Sequence, residues 1–170
     1  MPTEPSAADD SDTTNVAASA DVAAVTRQLG RVPLAPFVVV VRAPNGDPVV
    51  VRNDPFLVDG TPMPTRYYLV DPALNQRVSR LESNGGVRSL EAIVDPVALE
   101  RAHAAYAAER DAAIPVEHVG ARPFGGVGGT RTGVKCLHAH YAYWLAGGDD
   151  PIGRLVDAAL TAEQEPTRCE

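Results

Sequence analysis

Lysine is all but missing from this chain: of its 15 basic residues, Lys135 alone is a lysine. Acidic residues number 22, yet none falls between Glu117 and Asp149. Only two cysteines occur, Cys136 and Cys169, too few for a disulfide framework in a chain with no export signal. Long apolar runs are lacking as well. The five residues Phe37–Val41 fall far short of the roughly 20 that span a bilayer, and the N-terminus has neither the basic nor the apolar region of a signal peptide. These absences predict a cytoplasmic protein without a membrane partner. A net charge of −7 excludes broad nucleic-acid binding through a basic surface.

Residues 1–20, "MPTEPSAADDSDTTNVAASA", contain no aromatic and no basic residue. Such a segment buries too little surface to offset its ordering entropy, so it is expected to be a disordered tail. Residues 21–162 then form a single globular domain, followed by a polar C-terminal tail at 163–170. Within the domain, "DVAAVTRQLG" predicts a short helix closed by Gly30. "PFVVVV" is a β-branched run, "APNGDP" a turn, and "VVVR" a second strand at hairpin spacing. "TRYYLV" predicts a third strand after a proline-rich loop.

The second half is helical. Asp71-Pro72, Asp95-Pro96 and Asp150-Pro151 each place an N-cap acceptor before a proline, which is tolerated at the first helical position because that amide has no intrahelical partner. These starts predict helices to about Asn84, to about Ala113 and to about Ala162, with a shorter one over Val87–Val94. Strands first and helices afterwards indicate an α+β fold: a small antiparallel sheet of about three strands covered by four to five helices.

The chemistry-bearing residues concentrate in Arg122–Trp144, "RPFGGVGGTRTGVKCLHAHYAYW". A phosphate-binding Walker loop requires G-x-x-x-x-G-K-[ST]; here Val134 separates Gly133 from Lys135, and Cys136 stands where the hydroxyl belongs. A glycine loop feeding a helix start still favours an anion through free amides and the helix dipole. Candidate ligand-binding residues are therefore Arg122, Gly125, Gly126, Gly128, Gly129, Arg131, Lys135 and His138. Leu137, Tyr141, Trp144 and Leu145 form a helical core stripe. On that helix Cys136 and His140 are neighbours at i, i+4, and His138 points away from them. Two adjacent ligands make only half a zinc site, so no metal is expected. A thiol beside Lys135 and His140 at a helix start is a candidate nucleophile, with Cys136 and His140 as the catalytic pair; a small buried hydrophobe is the alternative for Cys136. His103, Tyr106 and Arg110 share one face of the long Ala-rich helix and are candidates to support the glycine loop, or else simply a solvated helix face.

The segment "GGVGGTRTGVKCLHAHYAYWLAGGDDPIG", with "LVDGTPMPTRYYLVDPAL", "VSRLESNGGV" and the His103-x-x-Tyr106-x-x-x-Arg110 spacing, resembles the bacterial, mainly actinobacterial, domain of unknown function 501 family over about residues 27–160. The resemblance implies a bacterial cytosolic protein but no activity, cofactor or catalytic residue. It also implies a cysteine in the first strand region, where this chain has "VVVVRAPNGDP"; its lack adds to the expectation of no metal. The expected function is binding of a phosphate-bearing small molecule at the glycine loop. The alternatives are an enzyme using Cys136 and His140 on that ligand, and a regulatory module that contacts another protein.

Overall fold

In the computed structural model, residues 17–163 are described. The predicted tails at 1–20 and 163–170 lie almost wholly outside them, although α1 (Ser19–Leu29) begins two residues before Asp21. The sheet is an antiparallel meander of β1 (Phe37–Arg42), β2 (Pro48–Asn53) and β3 (Tyr67–Leu69) in that order. The β1–β2 turn closes through Gly46, in the left-handed region at φ 89°, with the Ala43 amide donating to Asp47 O at 2.9 Å. A register irregularity between Val39 and Val41 interrupts the β1 ladder.

Among the described residues five α-helices follow the sheet: α2 (Pro72–Ser83), α3 (Gly86–Ile93), α4 (Pro96–Ala112), α5 (Leu137–Leu145) and α6 (Pro151–Ala162). All three Asp-Pro starts work as their chemistry requires. Asp71 accepts from the Leu74 amide, Asp95 from Val97 and Asp150 from Gly153. The fold is α+β. Among the described residues no helix is long and apolar enough to cross a membrane.

The sheet separates two apolar clusters. Val25 of α1 packs with Phe37, Val51 and Val70 in the smaller one. The larger gathers Val50, Tyr67 and Leu69 from the sheet with Val78, Leu99 and Tyr106 and with α5 and α6. The centre of that core is α5. Leu137, Ala139, His140, Tyr141, Ala142 and Tyr143 are all buried, so this helix is enclosed on nearly every side instead of presenting one stripe. Trp144 and Leu145, expected in that stripe, are only half-buried and lie at the C-terminal end of α5. Against α6 the fit is close: a Cβ at Gly153 would stand 2.3 Å from Trp144 Cβ and 2.5 Å from the His140 carbonyl oxygen.

One carboxylate joins these two helices. Asp150 Oδ1 accepts from the Gly153 amide at 2.8 Å, and Oδ2 accepts from His140 Nδ1 at 2.7 Å, both side chains being essentially inaccessible to solvent. The caps should consequently differ in worth. Asp95→Ala, at an exposed cap, should cost about 1 kcal/mol. Asp150→Ala also orphans a buried histidine and should cost about 2–4 kcal/mol. Urea unfolding of the two variants side by side checks the difference; equal losses would mean that the Asp150–His140 bond contributes nothing.

Candidate functional site

The glycine stretch forms a loop whose turns run through left-handed backbone at Gly125, Gly128, Gly129 and Gly133, conformations that glycine adopts without strain. Three of its amides are engaged. Gly126 N donates to Thr130 O at 2.7 Å, and Gly129 N to Gly126 O at 3.0 Å. The Val127 amide donates to His103 Nδ1 at 3.0 Å. The loop spends these three donors on its own closure and on α4.

The α4 constellation fastens this loop. His103 Nδ1 accepts from Val127, so its ring hydrogen sits on Nε2 and donates to Gly133 O at 3.0 Å. Burial lowers the imidazole pKa, in keeping with a neutral ring that has both nitrogens occupied. Gly126 is pressed so near that a Cβ there would lie 2.5 Å from His103 Nδ1. Arg110, 1% exposed, donates to the carbonyls of Gly125 at 2.7 Å and Phe124 at 3.3 Å. Tyr106 Oη serves the sheet instead, accepting from the Arg66 amide at 2.6 Å and Tyr67 at 3.3 Å. Burial pushes its hydroxyl up to about 12, so it stays protonated. These three residues are buried, and a solvated face is not where they lie.

At the start of α5 the expected pairing is rearranged. Cys136 is the N-cap, with extended backbone at φ −156° and ψ 126°, so helical spacing does not carry back to it. Its Sγ lies 3.6 Å from His138 Nδ1. His140 turns into the core, where it meets Asp150 and the His103 ring at a centroid distance of 5.5 Å. The Cys136–His140 pair is thus replaced by Cys136–His138. The same Nδ1 lies 3.2 Å from Glu82 Oε1, which also accepts from the Leu137 amide at 2.7 Å. His138 Nε2 lies 3.1 Å from the Asn75 carbonyl oxygen and 3.2 Å from Ser79 Oγ. Proximity to Cys136, then to the Asn75 carbonyl and Glu82, outweighs burial and raises the His138 pKa to about 9.

Glu82 was hidden from sequence reasoning. It sits in "RLESNGG" at the end of α2, a place that reads as an ordinary exposed helix terminus. Glu91 from α3 plays a parallel part, accepting from the Val134 amide at 3.0 Å. Together Glu82, Cys136 and His138 offer ligand atoms that all lie within 4.8 Å of one another. The expectation of no metal weighed Cys136, His138 and His140 and did not include Glu82.

Two clefts flank the loop, and they divide the basic residues. The first, about 350 Å³, lies between β3, α2 and the start of α5; Lys135, Cys136, His138 and Gly128 line it with Tyr68 and Asn75. The second, about 400 Å³, lies against α3 and α4 and contains Arg131, Glu91, Glu100 and His103. Arg131 also lies over the Phe124 ring at 5.6 Å. Arg122 is exposed and lines neither cleft. Arg131 and Lys135 therefore do not converge on one anion.

A family model described as "Protein of unknown function (DUF501)" matches residues 39–158. No curated protein and no solved structure matches the chain.

The fastening reading of α4 makes a separable prediction. Tyr106→Phe keeps the buried ring but removes the acceptor of two buried amides, and should destabilise the fold by about 1–3 kcal/mol. Chemical denaturation checks it, and a loss near zero would show that the hydroxyl does not hold β3.

Proposed function

The chain belongs to the DUF501 family, whose description names no activity, and we propose from the geometry that it binds a small molecule carrying a phosphate or similar anionic group. The site is the cleft between β3, α2 and the start of α5. The observation that carries this reading is the position of Lys135, the chain's one lysine, in the lining of a cleft about 350 Å³ in volume, a size that suits a small ligand. Lys135 supplies a mobile point charge. Asn75 and Thr65 add polar groups, and the Tyr68 ring and Leu69 give an apolar wall. The helix dipole contributes less than the sequence implied, because Glu82 already occupies the Leu137 amide.

A second reading, an enzyme acting on the same ligand, is favoured by the 3.6 Å approach of Cys136 Sγ to His138 Nδ1. A thiol and an imidazole at that separation exchange a proton readily, and a histidine beside a cysteine is the usual means of activating it. The partner in this reading is His138, with His140 kept in the core.

The division of the basic residues between two clefts supplies the test. Lys135→Ala should weaken binding of phosphates, nucleotides or short polyphosphates by about 1.5–3 kcal/mol, as for loss of a hydrogen bond to a charged group. Stability without ligand should stay within about 0.5 kcal/mol, as at an ordinary surface site. Arg131→Ala, in the other cleft, should leave binding unchanged. Thermal shift with and without the ligand panel reads all three. The absence of any ligand-dependent shift in the unmutated chain would refute the cleft, and an equal loss in Arg131→Ala would move the site to the other side of the loop.

A further inference from the structure

We propose that Glu82, Cys136 and His138 form a binding site for a divalent transition metal of the zinc class, with a coordination position open to the cleft that Lys135 lines. The separations fit an ion. A tetrahedral zinc about 2.3 Å from sulfur and about 2.0–2.1 Å from nitrogen and oxygen sets its ligands roughly 3.6 Å (S to N) and roughly 3.3 Å (N to O) apart. The observed separations are 3.6 Å from Sγ to Nδ1 and 3.2 Å from Nδ1 to Oε1.

The imidazole is oriented for the task. The Asn75 carbonyl can only accept, so Nε2 carries the hydrogen and donates to it at 3.1 Å. Nδ1 is left facing the thiol and the carboxylate. A ligating histidine that donates its other ring N–H to a backbone carbonyl is the usual arrangement, because the carbonyl fixes both tautomer and ring angle. Ser79 Oγ, 3.2 Å from Nε2, holds the ring from the same side.

The donor set selects the metal. Thiolate, imidazole and carboxylate suit zinc and its neighbours, whereas magnesium and calcium require oxygen ligands. Binding releases two protons to solvent, that of the Cys136 thiol and the Nδ1 proton of the His138 imidazolium. The thiolate and the carboxylate then balance the two positive charges of the ion. Glu82 can serve two roles because an ionised carboxylate has about four lone-pair sites, of which the Leu137 amide takes one. Three protein ligands with an open position is the pattern of zinc sites that act on a substrate, in contrast to closed structural ones. All three ligands come from the end of α2 and the beginning of α5, so the site is assembled by helix packing.

The proposal does not rest on anion binding in the cleft, and its test contains no phosphate-bearing ligand. Full-length chain is stripped with a chelator and titrated with zinc by calorimetry and with cobalt(II) by absorption spectroscopy. The expected result is one metal per chain, a cobalt–thiolate charge-transfer band, and alkylation of Cys136 that slows on zinc addition while that of Cys169 does not. Cys136→Ala should abolish the band. Cys136→Ala and His138→Ala should each weaken zinc binding by more than the roughly 10–100-fold that an outer-shell partner is worth. Cys169→Ser should change nothing. Absence of stoichiometric binding, binding that survives both ligand variants, or a band lost with Cys169→Ser would overturn the site. Alkylation protection in the unmutated chain needs no variant, so unprotected Cys136 at saturating zinc overturns it even where a variant fails to fold.

Discussion

A helix with almost no solvent face must have every polar group on it answered by its neighbours, and α5 is such a helix. An unpaired buried donor costs about 1–3 kcal/mol, so the elements around α5 are placed to supply partners. Asp150 takes the His140 imidazole, Asp157 accepts from the Tyr141 hydroxyl at 3.2 Å, and Glu82 takes the first amide, that of Leu137. His140 Nε2 is the exception, with no hydrogen-bond partner among the described residues. The order of the second half follows from this need: α2 ends where its carboxylate can cap α5, and α6 begins where its capping aspartate can reach back to hold α5.

The same requirement explains the acid-free segment between Glu117 and Asp149. Taken locally, a stretch with basic residues and no carboxylate is an invitation to an external anion. In the fold two of its amides are met from outside the segment, by Glu82 and Glu91, and its buried histidine by Asp150. The anion at the helix N-terminus is the protein's own. The proposed ligand site is accordingly the cleft beside Lys135. The loop's glycines serve closeness instead: Gly126 lets His103 approach, and Arg110 anchors the preceding carbonyls.

Much of the fold was legible because it is written in local chemistry. Three Asp-Pro pairs announced three helices, and each aspartate does accept from a backbone amide two or three residues on. The hairpin was announced by its β-branched strands and the Asn45-Gly46 turn. The site was less legible. Helical spacing joined Cys136 to His140, but an N-cap residue is extended, and the one-residue difference between cap and first turn redirected the thiol toward His138. Glu82 and Asn75 are remote in sequence and carry no local signal, so only the packing of α2 against α5 reveals them. Burial of α5 on several sides was likewise hidden, since a stripe and an all-round apolar surface differ in "LHAHYAYWL" only by where Tyr143 and the two alanines are taken to point.

The two carboxylate-capped amides leave a tension that a bound divalent ion would resolve. Glu82 places a carboxylate beside the cleft in which Lys135 would attract an anion, 3.2 Å from His138 Nδ1, and its charge repels that anion. With His138 Nδ1 and Cys136 Sγ beside that carboxylate, a divalent ion would neutralise the pair of negative ligands and present its open position to the cleft. An anionic ligand would then meet a cation and Lys135, where without the ion it meets Lys135 and the Glu82–His138 pair. On this view the lysine, the thiol and the histidine are parts of one arrangement. Lys135 would steer, the metal would coordinate, and Glu82, whose first task is to cap α5, would tie the chemistry of the cleft to the stability of the central helix.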